Sequence, residues 1–190
     1  LDRLLAVITR PRIYIQTHNY PDQDALASAY GLQELLRYKG IESLICYQGE
    51  IDKANTVSMT EALGLQLYDV DDLQIQKEDE IILVDGQKGN VNLEEQIGEE
   101  IACIDHHPVQ DTDSYRFFDI RKVGACATMI AEYFFENEIP VSRKVATALV
   151  YGIKMDTANL MRQTTPEDVD MFCAIYKKAD IEMIRLFESH

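Results

Sequence analysis

The sequence has little positive charge, few cysteines and no long apolar run. It carries 18 Lys and Arg residues against 33 Asp and Glu residues, which gives a net charge of -15. This balance argues against a long nucleic-acid duplex as a partner, because such complexes depend on Lys and Arg that neutralise phosphates. Phosphate chemistry remains open, since bound metal ions can supply the positive charge that the side chains lack.

The four cysteines lie far apart and form no CxxC pair. This spacing argues against a zinc knuckle or a disulfide scaffold and predicts reduced core cysteines. No apolar run approaches the ~20 residues that a membrane span needs, and no signal peptide is recognisable at the start. We therefore expect a soluble, cytoplasmic protein with no membrane partner. Because the first residue is Leu, we expect the chain to be part of a longer protein.

The hydrophobic pattern alternates between strands and helices in the first half of the chain. It predicts strands over 12–16, 43–47, 80–84 and 101–104, with helices over 24–39 and 55–63. The second half is more helical, with helices predicted over 125–137, 142–155 and 166–177 and a last one from Ile181. Together these elements predict a single α/β domain over residues 1–190, with a mainly parallel β-sheet flanked by helices on both faces.

Polar residues directly follow three of the predicted strands. RIYIQ leads into THNYPDQD, EIILV leads into DG, and IACI leads into DHHP. Parallel strands would bring these ends to one edge of the sheet, where such folds bind their ligands.

Each of these residues also has a simpler interpretation. Asp22 or Asp24 alone could cap the helix that follows, and a lone buried His is more often a hydrogen-bonded core residue than a ligand. Several carboxylates gathered at one edge, however, would repel one another unless cations were bound. His and carboxylate ligands without cysteine favour Mn²⁺, with Mg²⁺, Co²⁺ or Zn²⁺ as alternatives.

Four short motifs, in order along the chain, make the pattern specific. Asp105-His106-His107 resembles the triplet that names the DHH phosphoesterase superfamily. Three further segments resemble motifs of the same superfamily: HNYPDQDA from His18, VDG around Asp85 and GIKMDT ending at Thr157. The superfamily includes RecJ-like exonucleases, nanoRNase-like oligoribonucleases that also hydrolyse phosphoadenosine phosphate, cyclic-dinucleotide phosphodiesterases and family II inorganic pyrophosphatases.

The resemblance implies a two-metal catalytic domain with six metal ligands: His18, Asp22, Asp24, Asp85, His106 and Asp156. It implies that His18, Asp22 and Asp156 hold one ion, that Asp24 and His106 hold the other, and that Asp85 bridges both. His107 would contact the substrate phosphate and assist protonation, and Asp105 would orient a histidine. Two further residues stay open: Thr128 faces the site or is an ordinary helix residue, and Arg162 reaches a phosphate or faces water.

The implied reaction is metal-assisted hydrolysis of a phosphoester in a small nucleotide, such as a short oligonucleotide, phosphoadenosine phosphate or a cyclic dinucleotide. The alternatives are a manganese-dependent inorganic pyrophosphatase and a non-catalytic regulatory module that binds metal or nucleotide. Many relatives carry Gly where this chain has Ala158, which leaves the substrate open. No segment after Thr157 resembles the glycine-rich C-terminal substrate-binding domain of oligonucleotide-cleaving members, so we expect that domain to be absent from these residues. A homodimer is compatible with the sequence.

Overall fold

Strands and helices alternate up to the middle of the chain, and helices alone complete it. The computed structural model describes residues 1–189. The strands are β1 (Arg12–Gln16), β2 (Glu42–Tyr47), β3 (Leu67–Asp69), β4 (Glu80–Val84), β5 (Glu99–Asp105) and β6 (Phe117–Ile120). The helices are α1 (Asp2–Val7), α2 (Gln23–Tyr38), α3 (Ala54–Leu63), α4 (Cys126–Glu136), α5 (Arg143–Asp156), α6 (Pro166–Tyr176) and α7 (Ile181–Phe187). None of these helices combines the length and apolar character that crossing a bilayer requires.

The six strands form one parallel sheet with the order β3-β2-β1-β4-β5-β6. The chain runs from β1 outward to β3, returns to β4 beside β1, and then runs the other way to β6. This reversal creates a topological switch point between β1 and β4, where the carboxyl ends of the strands leave a crevice. The register aligns those ends, because Gln16 pairs with Leu83 and Val84 pairs with Ile104.

The predicted α/β fold with a parallel sheet is confirmed, and the α-helices gather on one face. Residues from all seven described α-helices join one large buried cluster with one side of the strands. A smaller buried cluster lies on the opposite side of the sheet. Besides strand residues it contains Val70 from a 3₁₀ helix and Leu93 and Tyr115 from loops. Right-handed crossovers place the β4–β5 and β5–β6 connections opposite the helices of the β1–β3 half. Because residues 85–98 and 106–116 contain no helix, loops instead of the expected helices cover this second face.

Three helices approach closely near the carboxyl edge of the sheet. A Cβ atom built on Gly152 of α5 would lie 3.0 Å from the Cβ of Ala27 in α2 and 3.2 Å from the Cβ of Ala127 in α4. It would also lie 3.3 Å from the Cα of Asp24. These small residues let the backbones meet, so that the start of α2 lies beside the end of α5.

Glu80 joins three segments at the opposite edge of the sheet. Its buried carboxylate accepts hydrogen bonds from the backbone N–H groups of Thr9 and Arg10, at 2.7 and 2.9 Å, and from the Thr9 hydroxyl. The Arg116 guanidinium donates a further bond to it. Burial acts to raise the pKa of Glu80, but these hydrogen bonds outweigh burial and lower the pKa below its ordinary 4.5.

Replacing Glu80 by Gln is expected to destabilise the fold in a pH-dependent way. A lowered pKa means that the ionised carboxylate contributes stability above about pH 4.5, and that this stability is lost as the pH falls through the folded-state pKa. Glu80→Gln should therefore cost about 1–3 kcal/mol at neutral pH. Urea unfolding at pH 7 and at pH 3 measures the difference, which should shrink in acid. Glu78→Gln, at an exposed neighbouring position, is the control, and an equal loss in both variants would contradict the assignment.

Candidate metal centre

Three strand ends and one helix end bring the six predicted metal ligands together. His18 follows β1, Asp22 and Asp24 lie at the start of α2, Asp85 follows β4, His106 follows β5 and Asp156 ends α5. These six side chains form the His/Asp cluster. Two sets of three have ligand atoms within 4.8 Å of one another: His18 with Asp22 and Asp85, and Asp24 with His106 and Asp156.

Asp85 connects the two sets. One carboxylate oxygen lies 3.6 Å from Nε2 of His18, and the other lies 3.0 Å from Nε2 of His106. A carboxylate placed in this way has one oxygen for each of two neighbouring ions. The bridging role that the sequence resemblance implies for Asp85 stays a prediction with which this position is compatible.

The structure groups Asp156 differently from the sequence-based assignment. That assignment placed Asp156 with His18 and Asp22. Instead, an oxygen of Asp156 lies 3.2 Å from Nε2 of His106, whose Nε2 is also 3.5 Å from an Asp24 oxygen. The physical reason is the close contact of α5 with α2 at Gly152, which carries the end of α5 to Asp24.

Both histidines of the cluster present the same ring nitrogen to the carboxylates. Nδ1 of His18 lies 2.8 Å from the carbonyl oxygen of Asn19, and Nδ1 of His106 lies 2.9 Å from that of Val123. A carbonyl oxygen can only accept, so each Nδ1 must carry the proton and donate it. The lone pair of the neutral ring is then on Nε2, which points into the cluster. This arrangement is the usual one for metal-bound histidines.

Oδ1 of Asp85 and Nε2 of His106 are buried at the centre of the cluster and lie 3.0 Å apart. With the His106 ring neutral both atoms are acceptors, so neither has a hydrogen-bond donor among residues 1–189. Unpaired polar atoms at such depth are costly unless a further group satisfies them. A divalent ion coordinated by oxygen and imidazole nitrogen would do so, and the donor set, which lacks sulfur, suits Mn²⁺. The residues present therefore fit a metal site.

The carboxylates create a strong negative field inside the cluster. Burial acts to lower the pKa of His106, but Asp156, Asp85 and Asp24 outweigh burial and raise the pKa to about 12. The pKa of His18 is likewise raised, to about 11, by the carboxylates beside it. Burial and the neighbouring charges raise the pKa of Asp24 well above its ordinary value. Without metal, protons bound to these side chains offset the negative charge that bound cations would otherwise offset.

The backbone at Asp85 adopts a left-handed conformation, with φ of +57°. Asp tolerates this region better than most residues, although it still carries a conformational cost. The N–H of Asp85 continues the sheet by donating to the carbonyl oxygen of Ile104 at 2.9 Å. The turn thus directs the carboxylate from the strand end towards the two histidines. Backbone strain of this kind is concentrated at functional sites.

Asp22 and Asp24 also cap helices, although only Asp22 caps the helix that follows it, as the simpler interpretation held. Asp22 is the N-cap of α2 and accepts from the N–H of Ala25 at 3.0 Å. Asp24 instead caps α4, accepting from the N–H groups of Cys126 and Ala127 at 2.9 Å each. Capping and metal binding are compatible because a carboxylate has about four lone-pair directions. The caps fix both side chains beside the cluster.

His107 lies at the edge of the cluster, with its side chain 45% exposed. Its Nδ1 donates to the buried carboxylate of Asp105 at 2.7 Å, which leaves Nε2 as the ring nitrogen available to a substrate. This hydrogen bond, opposed in part by burial, raises the pKa of His107 and favours the protonated ring. Asp105 therefore fixes the orientation of the His107 ring, and its role in a reaction stays a prediction.

Gln87 organises the loop around His107 and was not anticipated from the sequence. Its side-chain nitrogen donates to the carboxylate of Asp105 at 2.7 Å, and its side-chain oxygen accepts from the N–H of Gln110 at 2.8 Å. The residue is fully buried. Its place directly after Asp85-Gly86 was the one available signal.

Asp168 is a second unanticipated residue. Its buried carboxylate accepts from the N–H of Gly124 and the N–H of Thr165, both at 2.8 Å, and from the hydroxyls of Thr165 and Thr128. Thr128, left open above, thus binds Asp168. The carboxylate ties the segment before α6 to the start of α4, next to the Val123 carbonyl that orients His106.

A cleft of about 1130 Å³ opens beside His106, His107 and Asp156. Its other walls come from residues 108–109, 120–123 and 162–165, which include Arg162. The cluster therefore borders a space large enough for an organic ligand.

Comparison with known proteins is consistent with this geometry. The profile of the DHH family, N-terminal domain, matches residues 12–153. The chain belongs to the DHH family. Membership confirms the resemblance that the four motifs indicated.

The relatives that this DHH chain resembles are longer than the chain itself. It is 32% identical over 178 residues to an uncharacterized protein of Methanocaldococcus jannaschii, covering 93% of this chain and 37% of that protein. It is 31% identical over 179 residues to a probable manganese-dependent inorganic pyrophosphatase of Clostridium acetobutylicum, covering 90% and 56%. The chain thus spans from about a third to just over half of these relatives.

Solved structures share the DHH fold. A putative family II inorganic pyrophosphatase from Methanococcus jannaschii superposes with a TM-score of 0.73 and 28% identity, over 93% of this chain and 58% of that one. An exopolyphosphatase-related protein from Bacteroides fragilis superposes with a TM-score of 0.81 over 100% and 60%, and its 18% identity shows the fold alone.

Proposed function

We propose that this DHH domain hydrolyses phosphoester bonds of small nucleotides with two Mn²⁺ ions held by the His/Asp cluster. One observation carries the proposal: Asp85 presents separate oxygens to His18 and His106, and the remaining carboxylates divide into one set around each histidine. In this proposal His18, Asp22 and Asp85 hold one ion, and Asp24, His106, Asp156 and Asp85 hold the other. Family membership and the manganese-dependent relatives support it.

The chain's own residues have distinct roles around the metals. When bound, a pair of divalent ions supplies Lewis acidity towards a phosphoryl oxygen and activates water. Nε2 of His107 contacts the phosphoryl group and passes a proton to the leaving oxygen. Asp105 holds the ring in the required tautomer, and Gln87 holds Asp105. Hydrogen bonds within the protein already hold these side chains in position before a reaction begins.

An inorganic pyrophosphatase is the alternative enzyme, supported by the names of relatives. The cleft favours the nucleotide, because apolar side chains, including Val109 and Ile120, form part of its wall. Pyrophosphate has no apolar surface to place against them. A non-catalytic metal-binding module is the remaining alternative.

The decisive experiment is a Mn²⁺-dependent assay of the full-length protein with diadenylate, phosphoadenosine phosphate, cyclic dinucleotides and pyrophosphate. The proposal expects turnover of at least one nucleotide and loss of that activity with EDTA. Turnover of pyrophosphate alone would assign the alternative enzyme, and metal binding without turnover of any substrate would assign the regulatory module.

Mn²⁺ binding should release protons and strengthen as the pH rises. The pKa values of about 11 for His18 and about 12 for His106 mean that both rings are protonated at pH 7 in the metal-free protein. Metal ligation requires neutral imidazole, so we expect close to two protons to leave when the cluster fills. Calorimetry at pH 7 in buffers of different ionisation enthalpy measures this number. A result of zero protons would contradict imidazole ligation, and titration in the presence of EDTA is the control.

We further propose a cytoplasmic location, supported by four cysteines that are all unpaired. A homodimer stays a prediction, which sedimentation of the full-length protein tests.

A further inference from the structure

Within residues 1–189, two cations beside the His/Asp cluster have no acidic partner. Arg162 and Lys122 are both exposed and line the cleft, and neither forms an ion pair among the described residues. The third cation of the cleft, Arg121, is already neutralised by Asp119 and Glu132, at 3.0 and 2.9 Å. In a chain with 33 acidic and 18 basic residues, unpaired cations next to a carboxylate cluster are not expected by default. Their charge is available to an anionic ligand.

Arg162 is held in place by an unusual segment of backbone. Ala158, Asn159 and Leu160 have φ angles of +47°, +60° and +65°, and Gln163 has +50°. Residues other than glycine rarely adopt this region, and three in succession form a left-handed turn that other contacts must maintain.

Thr157 supplies several of those contacts. Its carbonyl oxygen accepts from the N–H groups of Met161 and Arg162, both at 2.8 Å, and its hydroxyl accepts from the N–H of Leu160 at 3.0 Å. The guanidinium of Arg162 also donates to the carbonyl oxygen of Asp156 at 3.3 Å. The turn therefore fixes Arg162 directly beside a residue of the His/Asp cluster.

The cleft that these two cations line beside the His/Asp cluster also has apolar side chains in its wall. Val109, Ile120 and Val123 contribute that wall. A ligand that fills this cleft would thus carry one anionic group for the His/Asp cluster, a second for the two cations, and an apolar part for these side chains. A nucleotide with two phosphate groups has this chemistry, whereas pyrophosphate is far smaller than the ligands that such clefts accept.

We propose that Arg162 and Lys122 bind a second, non-reacting phosphate of the substrate and thereby select nucleotides with a terminal phosphate in addition to the scissile one. The proposal rests on the proposed function, because it places the reacting phosphate at the His/Asp cluster. Arg162 provides paired N–H donors suited to two phosphate oxygens, and Lys122 provides a point charge.

The test compares two ligands that differ by one phosphate: diadenylate with and without a 5′-phosphate. Full-length protein is prepared as wild type, Arg162→Gln, Lys122→Gln and Lys144→Gln. Lys144 is exposed at the start of α5, at the other end of that helix from Asp156, so its variant removes the same charge away from the cleft. Both the KM for Mn²⁺-dependent hydrolysis and the Kd from calorimetry are measured, with Ca²⁺ replacing Mn²⁺ for binding.

Arg162→Gln is expected to weaken binding of the 5′-phosphorylated ligand by about 10–100-fold, as the loss of a charged hydrogen bond implies, with a smaller effect in Lys122→Gln. Binding of the unphosphorylated ligand and all properties of Lys144→Gln should stay within about twofold of wild type. Equal weakening of both ligands by Arg162→Gln, or wild-type binding that ignores the 5′-phosphate, overturns the inference. If Arg162→Gln weakens binding of the 5′-phosphorylated ligand alone and the wild type hydrolyses neither ligand, the second-phosphate site stands and the proposed hydrolysis is wrong.

Discussion

Asp85→Asn is expected to abolish hydrolysis while the protein stays folded. The change removes a charge and one metal-binding oxygen from the group that joins the two halves of the His/Asp cluster. Bound metal contributes several kcal/mol to transition-state stabilisation, and each 1.4 kcal/mol or so is tenfold in rate, so we expect a loss of at least about a thousandfold in kcat. Steady-state kinetics on the best nucleotide substrate measures it.

Thermal unfolding separates this effect from misfolding. Metal-free Asp85→Asn should still unfold cooperatively and close to the Tm of the metal-free wild type, because relief of the repulsion between Asp85 and Asp24 offsets the lost attraction to the protonated rings of His18 and His106. Mn²⁺ should raise the Tm of the wild type clearly and that of Asp85→Asn much less. Asp170→Asn, at an exposed position of α6, is the matched control and should behave as wild type. Undiminished activity in Asp85→Asn would remove Asp85 from the bridging role.

Asp168→Ala is expected to give the largest loss of stability among single substitutions near the site. It leaves the buried N–H of Gly124 without its acceptor and also removes the partners of Thr128 and Thr165. Stranding several donors should cost about 3–5 kcal/mol in the free energy of unfolding. For a chain of this length, that corresponds to roughly 10 °C in Tm.

Asp168→Asn keeps the shape of the side chain and one acceptor oxygen, so we expect a smaller loss. Asp170→Ala on the same helix serves as the control for helix α6 itself. Denaturant unfolding of the metal-free proteins ranks the three variants. A cost for Asp168→Ala no greater than that for Asp170→Ala would show that the buried carboxylate is not needed to hold the segment.

The ends of β1, β4 and β5 could be predicted because their signals are local. Each is a short apolar run followed within two residues by His or Asp, and parallel pairing then brings the ends to one edge. Two edge strands, β3 and β6, were not predicted, because they have only three and four residues and are only partly buried. Helix α1 was also missed, since six residues with one fully buried side chain give little periodic signal.

Long-range contacts limit how much of the site itself could be predicted from the sequence. Asp168 meets Gly124 across 44 positions, and no sequence pattern links them. The partner of Asp156 depends on how closely α5 approaches α2, which the resemblance did not convey. The structure adds one observation at Ala158, whose φ of +47° lies in a region that glycine adopts more readily than other residues. This chain meets that backbone requirement with Ala158, supported by the hydrogen bonds of Thr157.

The distribution of the His/Asp cluster along the chain has a consequence for folding order. Its members extend from His18 to Asp156, and Asp85 reaches His18 only once β1 has paired with β4. The ions therefore find no complete coordination sphere until nearly all of the chain has assembled, in contrast to small zinc domains whose metal starts the folding process. We expect Mn²⁺ to slow the unfolding of this domain and to leave its rate of refolding almost unchanged.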